Sequence, residues 1–178
     1  MIIYEALKND HDKVKALLNQ LVNLSEDDDQ TRSELVTMIR DELVPHSRAE
    51  EAVFYNTLRE FKPTSDIAMH GYKEHMEAES LLRILQLKDI ASLDWKDTAL
   101  KLKEALEHHV EEEEGLMFEV AKKNFTEEEA LMMGEAFERM KPEIKDETII
   151  ATTWEMVANL MPNRFTNAFR KSNTPKHL

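Results

Sequence analysis

None of the 178 residues is cysteine. That excludes disulfides, cysteine-ligated zinc or iron–sulfur centres and thiol nucleophiles, and it suits a reducing compartment. Only 3 glycines and 5 prolines are present, too few for the many tight turns of an all-β protein, so long helices are expected. No apolar run approaches the roughly 18 residues that a membrane span needs. The opening MIIYEALKND is too polar for a signal peptide, which points to the cytoplasm. A formal net charge of −13 disfavours a surface that tracks phosphates, so no nucleic-acid partner is expected. From Pro162 onward there is no acid, and Arg164, Arg170, Lys171 and Lys176 form a basic tail that could dock on the acidic body. Gly-rich phosphate loops, His-Glu-x-x-His and the Glu-x-x-His pairs of ferritin-like sites are also missing.

What is present is helical periodicity. A first helix is expected from Ile2 to Leu24, with Leu7, His11, Val14, Leu18 and Leu21 on one stripe. A second runs from Gln30 to Phe61 with Ile39, Leu43, His46, Glu50, Val53 and Leu58 along its face, and Pro45 should kink or break it. After a loop at Lys62–Ser65, a third starts near Asp66 and carries His75, Ala78, Leu82 and Leu85. The fourth covers Leu93 to Lys122, its seam passing through Leu102, Leu106, His109, Glu113, Leu116 and Val120. Two further helices follow. One opens on a capping box at Thr126–Glu129 and should end before Pro142. The other spans Glu147 to Met161, with Ile150, Trp154, Val157 and Met161 on one side. Residues from Ser172 read as a frayed tail. The expected fold is all-α: an up-down four-helix bundle over 1–122, with additional C-terminal helices in 123–178 packing on the bundle or on a partner. Phe137 and Trp154 are candidates for a homodimer surface or, alternatively, for burial inside the chain.

A repeat runs through the bundle. Asp10-His11 with Leu17, Leu18 and Leu21 matches Glu74-His75 with Leu81, Leu82 and Leu85, offset by 64 residues. His46, Glu50, Glu51 and Tyr55 match His109, Glu113, Glu114 and Phe118, offset by 63. Each half therefore supplies a lone histidine and a His-x3-Glu pair. Residues i and i+4 share one helix face, so each pair can present a nitrogen and a carboxylate to one metal region. Imidazole with carboxylate suits iron or manganese, and a carboxylate can bridge two ions. The candidate ligands are His11, His46, Glu50, His75, His109 and Glu113.

Other groups are less defined. His108 with Glu112 is also an i, i+4 pair, but the leucine seam favours His109 with Glu113. Of the acidic run Glu111–Glu114, only Glu113 is expected to face the seam. Glu79 lies four residues after His75 and is a candidate extra ligand, with a surface role favoured. His70 is a candidate extra ligand, outer-layer partner or helix-start residue. Tyr4, Tyr55 and Tyr72 could donate a hydrogen bond at the site, with core packing the favoured role for Tyr55. Met69, Met76 and Met117 are candidates to line a cavity.

The order His11, His46-x3-Glu50, Glu74-His75, His109-x3-Glu113 resembles the hemerythrin-like (HHE cation-binding) domain family over residues 1 to 122. The resemblance implies a non-haem di-iron centre that binds or reacts with oxygen, hydrogen peroxide or nitric oxide. It also implies, as an alternative, a non-enzymatic oxygen, redox or iron sensor signalling through the C-terminal helices. A metal-free interaction bundle is the third reading. The oxygen carriers of the family place a second histidine four residues from the third-helix one, and a late aspartate after the fourth-helix histidine. Here residues 71 and 79 are Gly and Glu, and His70 lies about 140° around the helix from His75. A site with fewer histidines favours redox chemistry over reversible oxygen carriage.

Overall fold

The structure, a computed structural model, describes residues 1–87, 91–145 and 157–173. Helices α1 (Ile3–Val22), α2 (Asp29–Glu50), α3 (Ser65–Gln86) and α4 (Ala91–Glu112) form an up-down four-helix bundle. α2 packs on α1 and α3, and α4 packs on α3 and α1, so each helix touches two neighbours around the barrel. Helices α5 (Glu127–Lys145) and α6 (Thr166–Asn173) follow. No helix among the described residues is long and apolar enough to cross a membrane.

Local chemistry sets the helix starts. Asp28 caps α2 by accepting from the Thr31 amide at 3.1 Å. Asp94, in extended backbone near the start of α4, accepts from the Asp97 amide at 3.3 Å, so regular winding begins after it. Thr126 and Glu129 form the expected capping box: the Thr126 hydroxyl accepts from the Glu129 amide at 3.2 Å and the Glu129 carboxylate from the Thr126 amide at 2.8 Å.

Three expectations about helix continuity change. α2 runs on through Pro45 to Glu50, because the flanking turns of a packed helix hold the segment although one backbone donor is missing. α5 likewise continues through Pro142 to Lys145, held by buried Met140 and by Ile144 against the core. α6 includes Ser172 and Asn173, which were expected to fray. Of the helix expected over Glu147 to Met161, only the end from Val157 falls within the described residues; Ile150 and Trp154 lie outside them.

Both helices that carry His-x3-Glu change winding at the glutamate or directly after it. A π-type turn spans Glu51–Tyr55 before Asn56–Leu58, and another spans Glu113–Met117 before Phe118–Asn124. The wider turn adds a residue and rotates the buried face. Leu116, expected on the seam, is 56 % exposed, and Met117, Phe118 and Ala121 are buried instead.

Two apolar clusters fill the bundle ends. One contains Val14, Leu18, Ile39, Leu43, Leu82, Leu102 and Leu106. The other contains Leu7, Val53, Phe54, Tyr55, Met117 and Phe118, and extends to Phe137 on α5 and Phe165 and Phe169 near the C-terminus. Between them lies a buried polar layer: Asp10, His11, His46, Ser47, Glu50, His75, His109 and Glu113.

α5 packs against α1 and α2 of the same chain. Gly134 permits this, since a Cβ there would stand 2.2 Å from the Met1 carbonyl oxygen. Phe137 is fully buried inside the chain, so of its two expected roles internal burial holds for it. The basic tail docks through Arg164, which donates to Glu129 at 2.6 Å and to the Asn124 carbonyl at 2.8 Å.

Candidate metal centre

The repeat places its six chemistry-bearing residues in one layer. Residues one turn apart on α2 bring His46 Nε2 to 3.4 Å from Glu50 Oε2, and on α4 they bring His109 Nε2 to 3.5 Å from Glu113 Oε2. The lone histidines complete the set from the other two helices. His75 Nε2 lies 3.4 Å from Glu50 Oε2, and His11 Nε2 lies 3.2 Å from Glu113 Oε2. Each glutamate thus sits between two histidines from different helices. His75 Nε2 and His109 Nε2 face each other at 3.2 Å, and with Glu50 they form a close group of three possible donors.

The other ring nitrogens explain the orientation. His11 Nδ1 is 3.0 Å from Glu114, His75 Nδ1 is 3.0 Å from Glu51, and His109 Nδ1 is 2.9 Å from Glu74. His46 Nδ1 faces Asp10 at 3.5 Å, an electrostatic contact without a formed hydrogen bond. An Nδ1–H that donates outward leaves a lone pair on Nε2 pointing inward, the tautomer a metal ligand needs. These four carboxylates form a closed circuit. Asp10 on α1 serves His46 on α2, Glu51 just past α2 serves His75 on α3, Glu74 on α3 serves His109 on α4, and Glu114 just past α4 serves His11 on α1.

Asp10, Glu51, Glu74 and Glu114 had no assigned role in the sequence reading. The signal was nonetheless there, because each stands directly beside a candidate ligand within the repeat: Asp10-His11, Glu50-Glu51, Glu74-His75, Glu113-Glu114. Of its acidic run only Glu113 enters the buried layer, but Glu114 is a partner of His11 rather than part of a plain solvated face. A residue next to a ligand is rotated about 100° around the helix, which aims Glu114 at the neighbouring helix.

Protons occupy the layer when nothing else does. Burial opposes charge on His11, yet Glu113 and Glu114 carry its imidazole up to about 10. The same contest, with Glu50 and Glu51 winning over burial, puts His75 at about 9. Burial, helped by the charge of His75, lowers His109 in spite of Glu74. Burial and the neighbouring charge of Glu50 hold Glu113 well above the usual carboxylate range. His11, with Lys8, keeps Glu114 at about 2 against burial.

The donor set fits metal cations. His11 Nε2 and all four oxygens of Glu50 and Glu113 are buried and make no hydrogen bond. Lone pairs facing each other across the His75–His109 contact repel unless a proton or a cation lies between them. Burying such ionised groups uncompensated costs on the order of several kcal/mol each. Cations at the centre of the layer remove that cost.

Tyr55 lies at the edge of the layer, its ring stacked on His75 with centroids 5.2 Å apart. A Cβ at Gly71 would stand 2.7 Å from the Tyr55 ring and hydroxyl, so this tyrosine fills the space of a residue-71 side chain. Its hydroxyl is buried without a hydrogen bond, and burial with the charges of Glu113 and Glu50 holds it well above the ordinary phenol range.

The remaining candidates are placed elsewhere. Tyr4 packs among Phe54 and Phe118. Tyr72 donates to Asn56 Oδ1 at 2.9 Å and touches Tyr55 edge-on. Glu79 pairs with Arg48 at 2.8 Å. Met69 and Met76 are exposed rather than lining a cavity, while Met117 is buried in the core. His70 and His108 are exposed on the outside of α3 and α4.

Comparison with known proteins adds three findings. A protein described as a DNA nickase from Nostoc sp. (strain PCC 7120) is 28% identical over 145 residues, covering 82% of this chain and 40% of its own length. An uncharacterized hemerythrin-like protein of Schizosaccharomyces pombe is 27% identical over 141 residues, covering 78% of this chain and 68% of its own length. The chain thus spans well under half of the Nostoc protein. The family model described as hemerythrin HHE cation binding domain matches residues 2–121, the bundle that carries every residue of the polar layer, and the chain belongs to that family of metal-cation-binding helical bundles.

Proposed function

We propose that this chain is a non-haem di-iron protein that binds or reacts with a small oxidant (oxygen, hydrogen peroxide or nitric oxide) in a cytoplasmic oxidative-stress or redox response. Manganese is the alternative occupant. One observation carries the reading: four inward Nε2 atoms and two hydrogen-bond-free carboxylates converge in a layer sealed above and below by apolar side chains. Two ferrous ions bound there would supply the two electrons that take oxygen to the peroxide level. Glu50 and Glu113, each flanked by two histidines, would hold the ions together with His11, His46, His75 and His109. The outer carboxylates keep the imidazoles aimed inward. The Tyr55 hydroxyl has no other partner and can donate a hydrogen bond to a small molecule bound beside His75. Sealing by Leu7, Val14, Leu43, Val53, Leu106 and Met117 excludes bulk water and larger substrates.

The test is metal content per chain and the visible spectrum of protein purified without chelator. About two irons per chain, with a near-ultraviolet band lost in the His46→Ala variant, are expected. Absence of iron and manganese, with no change in melting temperature on anaerobic addition of ferrous iron, would overturn the proposal.

A sensor reading has its own support. On α5, Lys141 donates to Asp10 at 2.7 Å, and Phe137 meets the His46 ring edge-on with centroids 5.7 Å apart. α5 therefore touches the centre's outer circuit, and metal loading would be felt there. Sustained peroxide consumption separates the enzyme from the sensor, which would show a spectral change without turnover. The activity in the Nostoc protein's name is not proposed for this chain, whose net charge of −13 opposes a phosphate-tracking surface.

A further inference from the structure

Two His-x3-Glu pairs remain outside the buried layer: His70–Glu74 on α3 and His108–Glu112 on α4. The two helices pack side by side, and the pairs meet on the outer surface. His70 Nε2 lies 3.1 Å from Glu112 Oε2 and 3.5 Å from Glu74 Oε1. His108 Nε2 lies 3.4 Å from Glu112 Oε1 and 3.9 Å from Glu74 Oε1. Tetrahedral ligands about 2.1 Å from a cation stand roughly 3.4 Å from one another; the His–carboxylate separations run from 3.1 to 3.9 Å, with His70 facing Oε2 of Glu112 and His108 facing Oε1, so His108 joins from the other side of that carboxylate. Donor atoms of His70, Glu74 and Glu112 all fall within 4.8 Å of each other.

A surface cluster of mixed charge is ordinarily a set of loose ion pairs. Two features set this one apart. The approach is made by Nε2 of both histidines, to the same two carboxylates. In addition, Glu74 Oε1 is buried yet accepts no hydrogen bond, and both of these Nε2 atoms lie within 4 Å of it. The other oxygen, Glu74 Oε2, accepts from the buried His109 Nδ1 at 2.9 Å. One carboxylate therefore touches both the surface cluster and a histidine of the inner layer.

We propose that His70, Glu74, His108 and Glu112 form a second, surface site for a divalent first-row transition-metal cation, joined to the buried layer through Glu74. Two imidazoles and two carboxylates suit Zn²⁺, Fe²⁺, Co²⁺ or Mn²⁺, whereas Ca²⁺ and Mg²⁺ prefer oxygen alone. Side chains of His70 and His108 are 54% and 63% exposed, so ions exchange there without opening the bundle. The inference holds whichever ions the inner layer takes.

Cobalt(II) is the probe. Anaerobic titration of wild-type protein, followed by visible absorption and by metal content after desalting, is compared with the His70→Ala/His108→Ala variant. Wild type is expected to bind one more Co²⁺ than the variant, with its own d–d bands, and both are expected to give the same circular dichroism. Glu112→Gln, which keeps both histidines, should weaken that extra ion by at least tenfold. Equal stoichiometry and superimposable isotherms in wild type and the double variant would overturn the site. If the inner layer binds no metal, wild type takes one ion and the double variant none, which still supports the surface site.

Discussion

Replacing Glu114 by alanine tests the outer circuit most directly. The substitution strips the 3.0 Å partner from His11 Nδ1 and leaves a buried N–H unsatisfied. Its second partner, Lys8, is largely exposed, so losing that contact contributes little. Removing a carboxylate that orients a ligand histidine typically weakens a metal site about 10–100-fold, or ~1.4–2.8 kcal/mol. An unsatisfied buried donor costs about 1–3 kcal/mol, the same scale reached independently. At a fixed free-metal concentration near 100 times the wild-type Kd, a 100-fold loss removes roughly 2.3 kcal/mol of metal-linked stabilisation. For a chain of this size that lowers Tm by about 5–9 °C. Glu114→Gln keeps an acceptor but not the charge and should fall between wild type and alanine. Glu111→Ala, an exposed acid three residues earlier, removes the same charge and serves as the control. Competition with a chromophoric chelator gives affinity, and differential scanning fluorimetry gives Tm. If Glu114→Ala and Glu111→Ala bind metal equally well, the circuit has no role in holding the site.

Other consequences are equally accessible. In the metal-free protein, His11 and His75 are raised to about 10 and 9. A group whose folded pKa is raised stabilises the fold below its unfolded value and loses that contribution as pH climbs through the folded one, so metal-free Tm should fall between about pH 6.5 and pH 10. Calorimetry across that window that shows a flat or rising Tm refutes the assignment. Gly71→Ala should destabilise by about 1–3 kcal/mol, because its Cβ would meet the Tyr55 ring at 2.7 Å. Denaturant melts of Gly71→Ala in wild-type and Tyr55→Ala backgrounds check this, and an undiminished cost without the ring would sink it. Leu82→Ala, in the apolar cluster on the other side of the polar layer, should cost about 2–5 kcal/mol of stability by the same assay. Phe137→Ala should loosen the ring contact on His46, read as a shift in the visible spectrum of the loaded protein. An unchanged spectrum would show that α5 does not sense the centre.

The four helices and the six histidines and glutamates at the centre of the inner layer are legible in the sequence, because apolar spacing and the repeat report directly on one face of a helix. Leu116 was misplaced since a 3.6-residue period carries no sign of the π-type turn that begins at Glu113. The outer carboxylates escaped for a different reason. A group adjacent to a ligand points at a neighbouring helix, and its role appears only once the helix order around the bundle is known. Phe137 stays open between a dimer surface and internal burial in the sequence, because nothing in the local pattern of α5 says that α1 and α2 receive it; Gly134 is the residue that permits the approach, and its neighbour Met1 is distant in sequence.

The circuit of carboxylates also bears on how such a chain can arise by duplication. Within one half, Asp10 reaches His46, but His11 must be held by Glu114 from the other half, just as His75 is held by Glu51. A lone half would leave one of its two imidazoles unoriented and its glutamate short of a second histidine. Two identical copies related by a two-fold axis would satisfy both at once, each lending what the other lacks. The single polypeptide carries that pseudosymmetry internally, and in doing so frees each half to diverge: Asp10 against Glu74, Tyr55 against Phe118, and a surface pair at His70 and His108 with no requirement for a counterpart.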